Sequence, residues 1–408
     1  MARAHTRRFP KPIHHDGRDY LRTDQVARLL GVKVATVYAY VSRGRMTSVR
    51  IDGVDGSVFA VDEVEAIVAG RPRRAPAGVV ERIHTRLTLL HDDRLFFRGR
   101  DAVDLAGRSS FEEVANLLWD SDISWLSAPT DASVRTAIRA AGGPHARGLD
   151  LIRLTVDVLG ARDQGRHQRD PSTVAVTAST VIAAAVDVLG DGDDPGTASI
   201  AARLWPCLTT EPPTARKVAV LGAALILLAD HDLSAGAIAA RVAASARGSV
   251  YAVLGAGLGA FDGPVHGGAT TLAHRFLEGA LADPAAAVAE QLYLGNPIPG
   301  TGHVVYRDHD PRAEFLVEML RRSGGGDRRV LPAVDEIRRR LSGTSFINSD
   351  LALAAIALRY RMRPDAAETI FALARMVGWV AHAIEEFGER QLRFRPEGVY
   401  TGIRPGTR

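Results

Sequence analysis

The 408-residue chain contains a single cysteine, Cys207. One thiol excludes an internal disulfide and leaves no thiolate set for a metal. Its surroundings, Trp205-Pro206-Cys207-Leu208, predict a small buried hydrophobe and not a nucleophile. Long apolar runs are also missing. No N-terminal segment resembles a signal peptide, and the longest greasy stretch, Val218 to Ala229, is too short to span a bilayer. A cytoplasmic protein with no membrane partner is the expectation. Strand-like alternation is scarce after residue 80, whereas Ala, Leu and Val recur at helical spacing in Ser179 to Leu189, Arg216 to Ala229 and Ala366 to Glu386. Gly255, Gly257 and Gly259 imitate a dinucleotide-binding cluster, but no strand precedes them and no acidic residue follows at the ribose position, so close helix packing is expected. The length implies two or three domains, and 46% hydrophobic residues suffice for a large core.

Against that background two histidines stand in glycine-rich frames, Gly263-Pro264-Val265-His266-Gly267-Gly268 and Gly300-Thr301-Gly302-His303, followed by Asp350 in Asn348-Ser349-Asp350. Such a set suits carbon–carbon bond formation from an acyl thioester. The methyl group beside the thioester is a very weak acid, so a carboxylate must meet its proton while a donor stabilises the enolate oxygen. Asp350 fits the base and His266 the donor, since a neutral imidazole near a helix start can polarise a carbonyl without carrying charge. His303 fits a second donor that makes an acceptor ketone electrophilic, in a loop whose backbone N–H groups can also face a ligand. His303, Asp308, His309 and Asp310 could instead be drawn as a metal site, but no metal or other cofactor is expected.

The longer context resembles the citrate synthase family. Pro299-Gly-Thr-Gly-His-Val-Val-Tyr-Arg-Asp-His-Asp-Pro-Arg312 is similar to its signature, and Ala229-Asp230-His231-Asp232-Leu233 to a segment whose His binds the keto acid. Phe371-Ala-Leu-Ala-Arg-Met-Val-Gly-Trp-Val-Ala-His382 resembles the family's long penultimate helix. Leu95 to Asp101 and Ser109 to Ala115 resemble segments of its large domain. The resemblance implies catalysis by His266, His303 and Asp350, and carboxylate binding by His231, Arg312, Arg375 and Arg395. Arg395, before Pro396 and Tyr400-Thr401-Gly402, would act across a homodimer interface. CoA would meet Pro299, Gly300, Thr301, Gly302 and Arg307. Arginine suits a small dicarboxylate because it binds in bidentate fashion, remains charged at working pH and keeps its geometry when water is excluded.

The resemblance further implies an all-α, two-domain helical fold over residues 80–408. A large domain (80–269 and 376–408) would carry a small domain, about 270–375, that closes over oxaloacetate and an acyl-CoA. Three departures put the acyl group in doubt: Leu351-Ala352-Leu353-Ala354 after the catalytic Asp, Ser349 where Val is usual, and a shorter, more irregular stretch from about Gly190 to Pro213. Acetyl-CoA and propionyl-CoA differ by one methylene, worth only ~1 to 3 kcal/mol in a pocket.

The N-terminal region reads separately, as a basic tail (1–16), a small domain (17–70) and an Arg/Pro linker (71–79). Thr23 is expected to cap a helix over Asp24–Leu30, Gly31 to make a turn, and Val34–Ser42 to form a second helix. Leu21 to Val32 followed by Thr36 to Val41 resembles the MerR and excisionase type of winged helix-turn-helix, with the wing over Arg50–Phe59 and a closing helix from Val61. Residues 1–79 hold 14 Lys and Arg against 8 Asp and Glu, and the remainder 37 against 39, so the positive surplus is N-terminal. Duplex DNA met by Lys33, Thr36, Tyr38, Arg43 and Arg45 is one expectation; a protein-binding or regulatory module on the same fold is the other. For the whole chain, the second reading is a DNA-binding regulator whose enzyme-like domain senses metabolites. His266, His303 and Asp350 together favour the enzyme, because a sensor needs the arginines but not the base.

Overall fold

The computed structural model describes residues 12–15, 18–69, 83–125, 129–190 and 198–394. The chain divides into two compact units, Met1–Glu81 and Arg82–Arg408, each closing on apolar clusters of its own. The start of the basic tail and the linker 71–79 lie outside the described residues.

The first unit runs β1 (Ile13–His15), β2 (Arg18–Arg22), α1 (Thr23–Leu30), α2 (Val34–Ser42), β3 (Ser48–Val49), β4 (Val58–Ala60) and α3 (Val61–Ala69). Its strands form one antiparallel sheet in the order β1-β2-β4-β3. β1 falls in the stretch expected to be tail, where Ile13 pairs with Tyr20; pairing against β2 satisfies backbone groups that a tail leaves to water. Thr23 is not the cap of α1. Arg22 holds that position with its N–H donating to Gln25 Oε1 at 2.8 Å, while the Thr23 hydroxyl donates to the Ser57 carbonyl at 3.0 Å and ties the helix to the β3–β4 loop. Leu21, Val26, Val37, Phe59 and Val64 form the core under both helices.

The second unit opens with a three-stranded antiparallel sheet, β5 (Thr88–His91), β6 (Arg94–Phe97) and β7 (Arg100–Asp101). The helical expectation holds for the bulk of this unit, and the small sheet is an addition to it. Strands of two to four residues joined by tight turns are too short to show alternation. Helices follow: α4 (Ala102–Arg108), α5 (Phe111–Trp119), α6 (Ala132–Gly142), α7 (Gly148–Arg162), α8 (Pro171–Leu189) and α9 (Ile200–Leu208). Next are α10 (Ala215–Leu228), α11 (Ala235–Ser245), α12 (Val250–Phe261), α13 (Gly268–Ala280) and α14 (Pro284–Tyr293). The last are α15 (Pro311–Ser323), α16 (Val330–Leu341), α17 (Ser349–Arg359) and α18 (Ala366–Phe387). Side-chain caps start many of them; Ser110 and Glu113 make a reciprocal capping box on α5 at 3.1 and 2.7 Å. The stretch read as irregular contains α9, begun by Ser199 and carrying Cys207, whose thiol donates to the Arg203 carbonyl at 3.2 Å.

α18 is buried on nearly every side, as a helix apolar all round must be. It and α8 are longer than the apolar run Val218–Ala229, which is therefore not the longest in the chain. Both are long and apolar enough to cross a membrane, yet 94% and 72% of their apolar windows are buried inside the protein. Trp379 of α18 sits on α12, where a side chain at Gly257 would come within 2.5 Å of the indole; Gly255 and Gly259 meet nothing within 4 Å. Close packing therefore explains Gly257 alone.

Candidate active site

The site is assembled from loops pinned to helix ends. Asn348 caps α17, its Oδ1 accepting the Asp350 N–H at 2.9 Å, which puts Asp350 in the first turn. The same residue reaches backwards: Asn348 Nδ2 donates to the Gly302 carbonyl at 2.9 Å, and its N–H to the Gly300 carbonyl at 2.9 Å. Gly302 N–H donates to the Phe346 carbonyl at 2.7 Å, and Thr301 bridges Ile347. The loop that ends at His303 is thus zipped onto the segment that leads into Asp350. Gly300 is required at its position, with φ +80 and space for a Cβ only 2.8 Å from Leu351 Cβ.

His303 Nδ1 accepts the Val305 N–H at 3.0 Å, so in the neutral ring the proton lies on Nε2, free to donate. The His231 ring lies 5.0 Å away edge-on, with Nε2 3.0 Å from the Tyr306 hydroxyl. Asp310 accepts Arg312 Nε at 2.9 Å and Nη2 at 2.8 Å, and also the Ser349 N–H at 2.9 Å. One buried carboxylate therefore fixes Arg312 in bidentate geometry and docks it to the start of α17. Arg312 lies 5.2 Å over the Tyr306 ring.

Arg375 projects from α18. Its Nε donates to the Leu228 carbonyl at 2.8 Å, its Nη1 to Ser234 Oγ at 3.4 Å, and its guanidinium stacks 4.8 Å over Phe371. His266, in the turn between α12 and α13, is wedged between the rings of Phe261 and Phe371 at 5.1 and 6.0 Å.

Burial sets the protonation states. It pushes Asp350 up to about 6, with Arg312 pulling the other way and Asp310 adding to the rise. His266 drops to about 4 through burial and Arg375, opposed by the Ala260 carbonyl. His303 drops to about 4 through burial and Arg312, and burial holds His231 well below its usual range. Arg375 falls to about 10, burial outweighing Asp230. At neutral pH the site thus offers neutral imidazole donors, a carboxylate more basic than usual, and two guanidinium groups.

His231, His266, His303, Arg312, Asp350 and Arg375 are joined by these ring contacts, hydrogen bonds and shared fields. Arg307 is exposed, its N–H donating to Asp93 Oδ1 at 2.8 Å; Pro299 to Gly302 lie in the zipped loop. Arg395 lies outside the described residues. Lys33, Thr36, Tyr38, Arg43 and Arg45 belong to the first unit, on α2 and its flanks. Sequence reasoning gave Asp310-Pro311-Arg312 a structural and substrate role without naming the partners of Asp310, noted Tyr306 only as part of the matched segment, and missed Asp93. Tyr306 and Asp310 stood inside the matched segment. Asp93, on the β5–β6 turn, carried no local signal, because its partners Arg307 and Asp308 are distant in sequence. Asp310, drawn into the metal alternative, is committed to Arg312.

The family profile described as "Citrate synthase, C-terminal domain" matches residues 78–397. Citrate synthase 2 of Bacillus subtilis is 28% identical over 342 residues, covering 76% of this chain and 91% of that protein. A 2-methylcitrate synthase of Mycobacterium tuberculosis is 28% identical over 345 residues, covering 77% and 87%. The fold is similar to citrate synthase from Thermoplasma acidophilum, solved as a ternary complex with carboxymethyl coenzyme A and oxaloacetate. There the TM-score is 0.67 at 22% identity, covering 80% of this chain and 95% of that one.

Proposed function

The chain belongs to the citrate synthase family, and from that premise we propose that it condenses oxaloacetate with a short acyl-CoA, then hydrolyses the thioester to citrate or 2-methylcitrate and CoA. The observation that carries the proposal is geometric: Asn348 ties the loop ending at His303 to the first turn that bears Asp350, and burial raises Asp350 to about 6 and lowers His266 and His303 to about 4. Asp350 takes a proton from the carbon next to the thioester, and the electrons move onto the thioester oxygen, where neutral His266 donates a hydrogen bond. The enol carbon then attacks the oxaloacetate ketone, made electrophilic by Nε2–H of His303. Arg375, Arg312 and His231 hold the carboxylates, Arg312 through Nη1 and the second Nη2 proton, since its Nε–H and one Nη2–H go to Asp310. Water finally cleaves the citryl thioester and releases CoA. Arg395 is assigned the remaining carboxylate across a homodimer interface, and Pro299–Gly302 with Arg307 the CoA. The small domain, about 270–375, would close over both substrates.

The test is release of CoA thiol from oxaloacetate with acetyl-CoA or propionyl-CoA, beside Asp350→Ala. Turnover that vanishes in the variant while oxaloacetate still binds supports the assignment. Loss of both together counts against Asp350 as the base.

A second partner is supported by one feature of the first unit. Between Gly31 and Ile51 the sequence contains four basic residues and no acidic one, and Lys33, Tyr38, Arg43 and Arg45 are exposed around α2. We read this unit as a winged helix-turn-helix that sets α2 in the major groove of duplex DNA. Fluorescence anisotropy with a duplex should show affinity that falls with salt, with a shallower slope in Arg43→Ala/Arg45→Ala. Binding that ignores salt would instead favour a protein partner.

A further inference from the structure

Behind the keto-acid pocket lies a buried ion network that the proposed mechanism does not use. Asp230, the residue before His231, is buried, as are His382, Arg241 and Glu386. Thr88 Oγ1 donates to Asp230 Oδ2 at 2.5 Å, and His382 Nε2 lies 3.2 Å from Asp230 Oδ1. On the other side of that imidazole, Arg241 Nε donates to His382 Nδ1 at 3.0 Å. A guanidinium has no lone pair to offer, so Nδ1 must be the acceptor, and the ring proton sits on Nε2, the nitrogen that meets Asp230 Oδ1 at ion-pair distance and without an aligned hydrogen bond. Arg241 is itself held by Glu386 at 3.1 Å and by Glu385, and Glu386 accepts two bonds from Arg393 at 2.7 Å. Segments distant in sequence converge to orient one carboxylate.

That carboxylate faces the substrate machinery. Arg375, Gly378 and His382 share one face of α18 by their spacing. Arg375 Nε donates to the Leu228 carbonyl at 2.8 Å and Gly378 N–H to the Ala229 carbonyl at 2.9 Å. The turn from Leu228 to Asp230 is therefore stitched to α18, and His231 is the next residue. Among the described residues, Arg375 donates only to neutral oxygens, whereas Arg312 has its own bidentate carboxylate in Asp310.

We propose that Asp230, oriented by Thr88 and by the tautomer of His382 that Arg241 dictates, is a positioning residue of the keto-acid site. It holds the His231 turn in register and supplies the standing counter-charge for Arg375. This inference rests on the keto-acid reading given above. Burial weakens the hold of Arg375 on its proton; Asp230, Tyr306 and Asp350 act against that loss and Arg312 adds to it. The imidazoles of His231, His266 and His303 are neutral in this range. Disturbing Asp230 should therefore shift the alkaline loss of oxaloacetate binding to lower pH.

The experiment uses the full chain as wild type, Thr88→Val, Thr88→Ser and Asp230→Asn, with a thermal melt for each. Oxaloacetate KM, kcat and calorimetric affinity are measured from about pH 7 to about pH 10.5, across the value of about 10 to which burial lowers Arg375. Thr88→Val is expected to raise the oxaloacetate KM about tenfold, the effect of one lost hydrogen bond to a charged group, and to move the alkaline limb down. Acyl-CoA KM should hold, and Thr88→Ser, which keeps the hydroxyl, should restore both values. A folded Thr88→Val or Asp230→Asn with wild-type KM and an unmoved alkaline limb would overturn the inference. So would equal losses in Thr88→Val and Thr88→Ser with no pH shift, since that pattern reports packing only. If Asp230→Asn does not fold, the Thr88 pair decides. Wild-type protein that neither binds nor turns over oxaloacetate would instead sink the functional reading, and this inference with it.

Discussion

At the scale of single residues, chemistry and stability pull in opposite directions at Asp350. A carboxyl raised to about 6 in the folded chain titrates near about 3.9 when unfolded. Its ionised form is therefore disfavoured by folding. The cost is absent below the unfolded value, grows as pH rises, and is complete above about 6. Asp350→Asn should be more stable than wild type at pH 8, by roughly 1 to 3 kcal/mol, and equal to it near pH 4; chemical denaturation at both pH values checks this. In the proposed mechanism the same ionisation governs rate. Condensation should rise with pH through about 6 on a single-proton slope, because the base assigned to Asp350 accepts the substrate proton only when ionised. His266 and His303 lose their charge near 4 and set no limit in that range. A rate profile centred near 4 would show that Asp350 is not the titrating base.

At the scale of elements, two devices place these residues. One is the cap: Asn348 on α17 and Asp310 on α15 each satisfy helix N–H groups and also grip a neighbouring segment. The other is the glycine loop zipped beside them. Gly300→Ala would force a Cβ into contact with Leu351 at 2.8 Å in a left-handed backbone. It should cost about 1 to 3 kcal/mol and reduce turnover more than oxaloacetate affinity, because the displaced loop carries His303 while Arg375 and His231 stand on other elements. Parallel denaturation and calorimetry on the variant separate the two effects. The motif Gly300-Thr-Gly-His was visible in the sequence; its partner segment Phe346–Asn348 was not, since a single isolated bridge leaves no periodic signature. The short sheet β5–β7 and strand β1 escaped notice for the same reason.

For the whole molecule, the two units have separate cores. Leu21, Val26 and Phe59 serve one, and the cluster around α18 the other. A chain starting at Arg82 should therefore fold on its own and keep CoA release within about twofold of the full chain, while losing any DNA affinity. Far-UV circular dichroism and the thiol assay test this; a truncated chain that unfolds would mean that the first unit contributes to the stability of the second.

The sequence by itself determined the chemistry and the family. His266, His303, Asp350, His231, Arg312 and Arg375 were singled out because each stands in register with a long segment that resembles the family's, and no one of them carries that signal alone. It also determined the long helices, whose apolar spacing repeats over several turns, and the extent of the basic N-terminal region. Only the tertiary structure decided how those groups are tuned and held. The base strength of Asp350 comes from burial, the donor face of His303 from the Val305 N–H, and the rigidity of Arg312 from Asp310 docked on Ser349. The orientation of Asp230 comes from Thr88 on a strand and His382 on α18. Each depends on desolvation or on partners remote in the chain, and neither is written in the local pattern of residues.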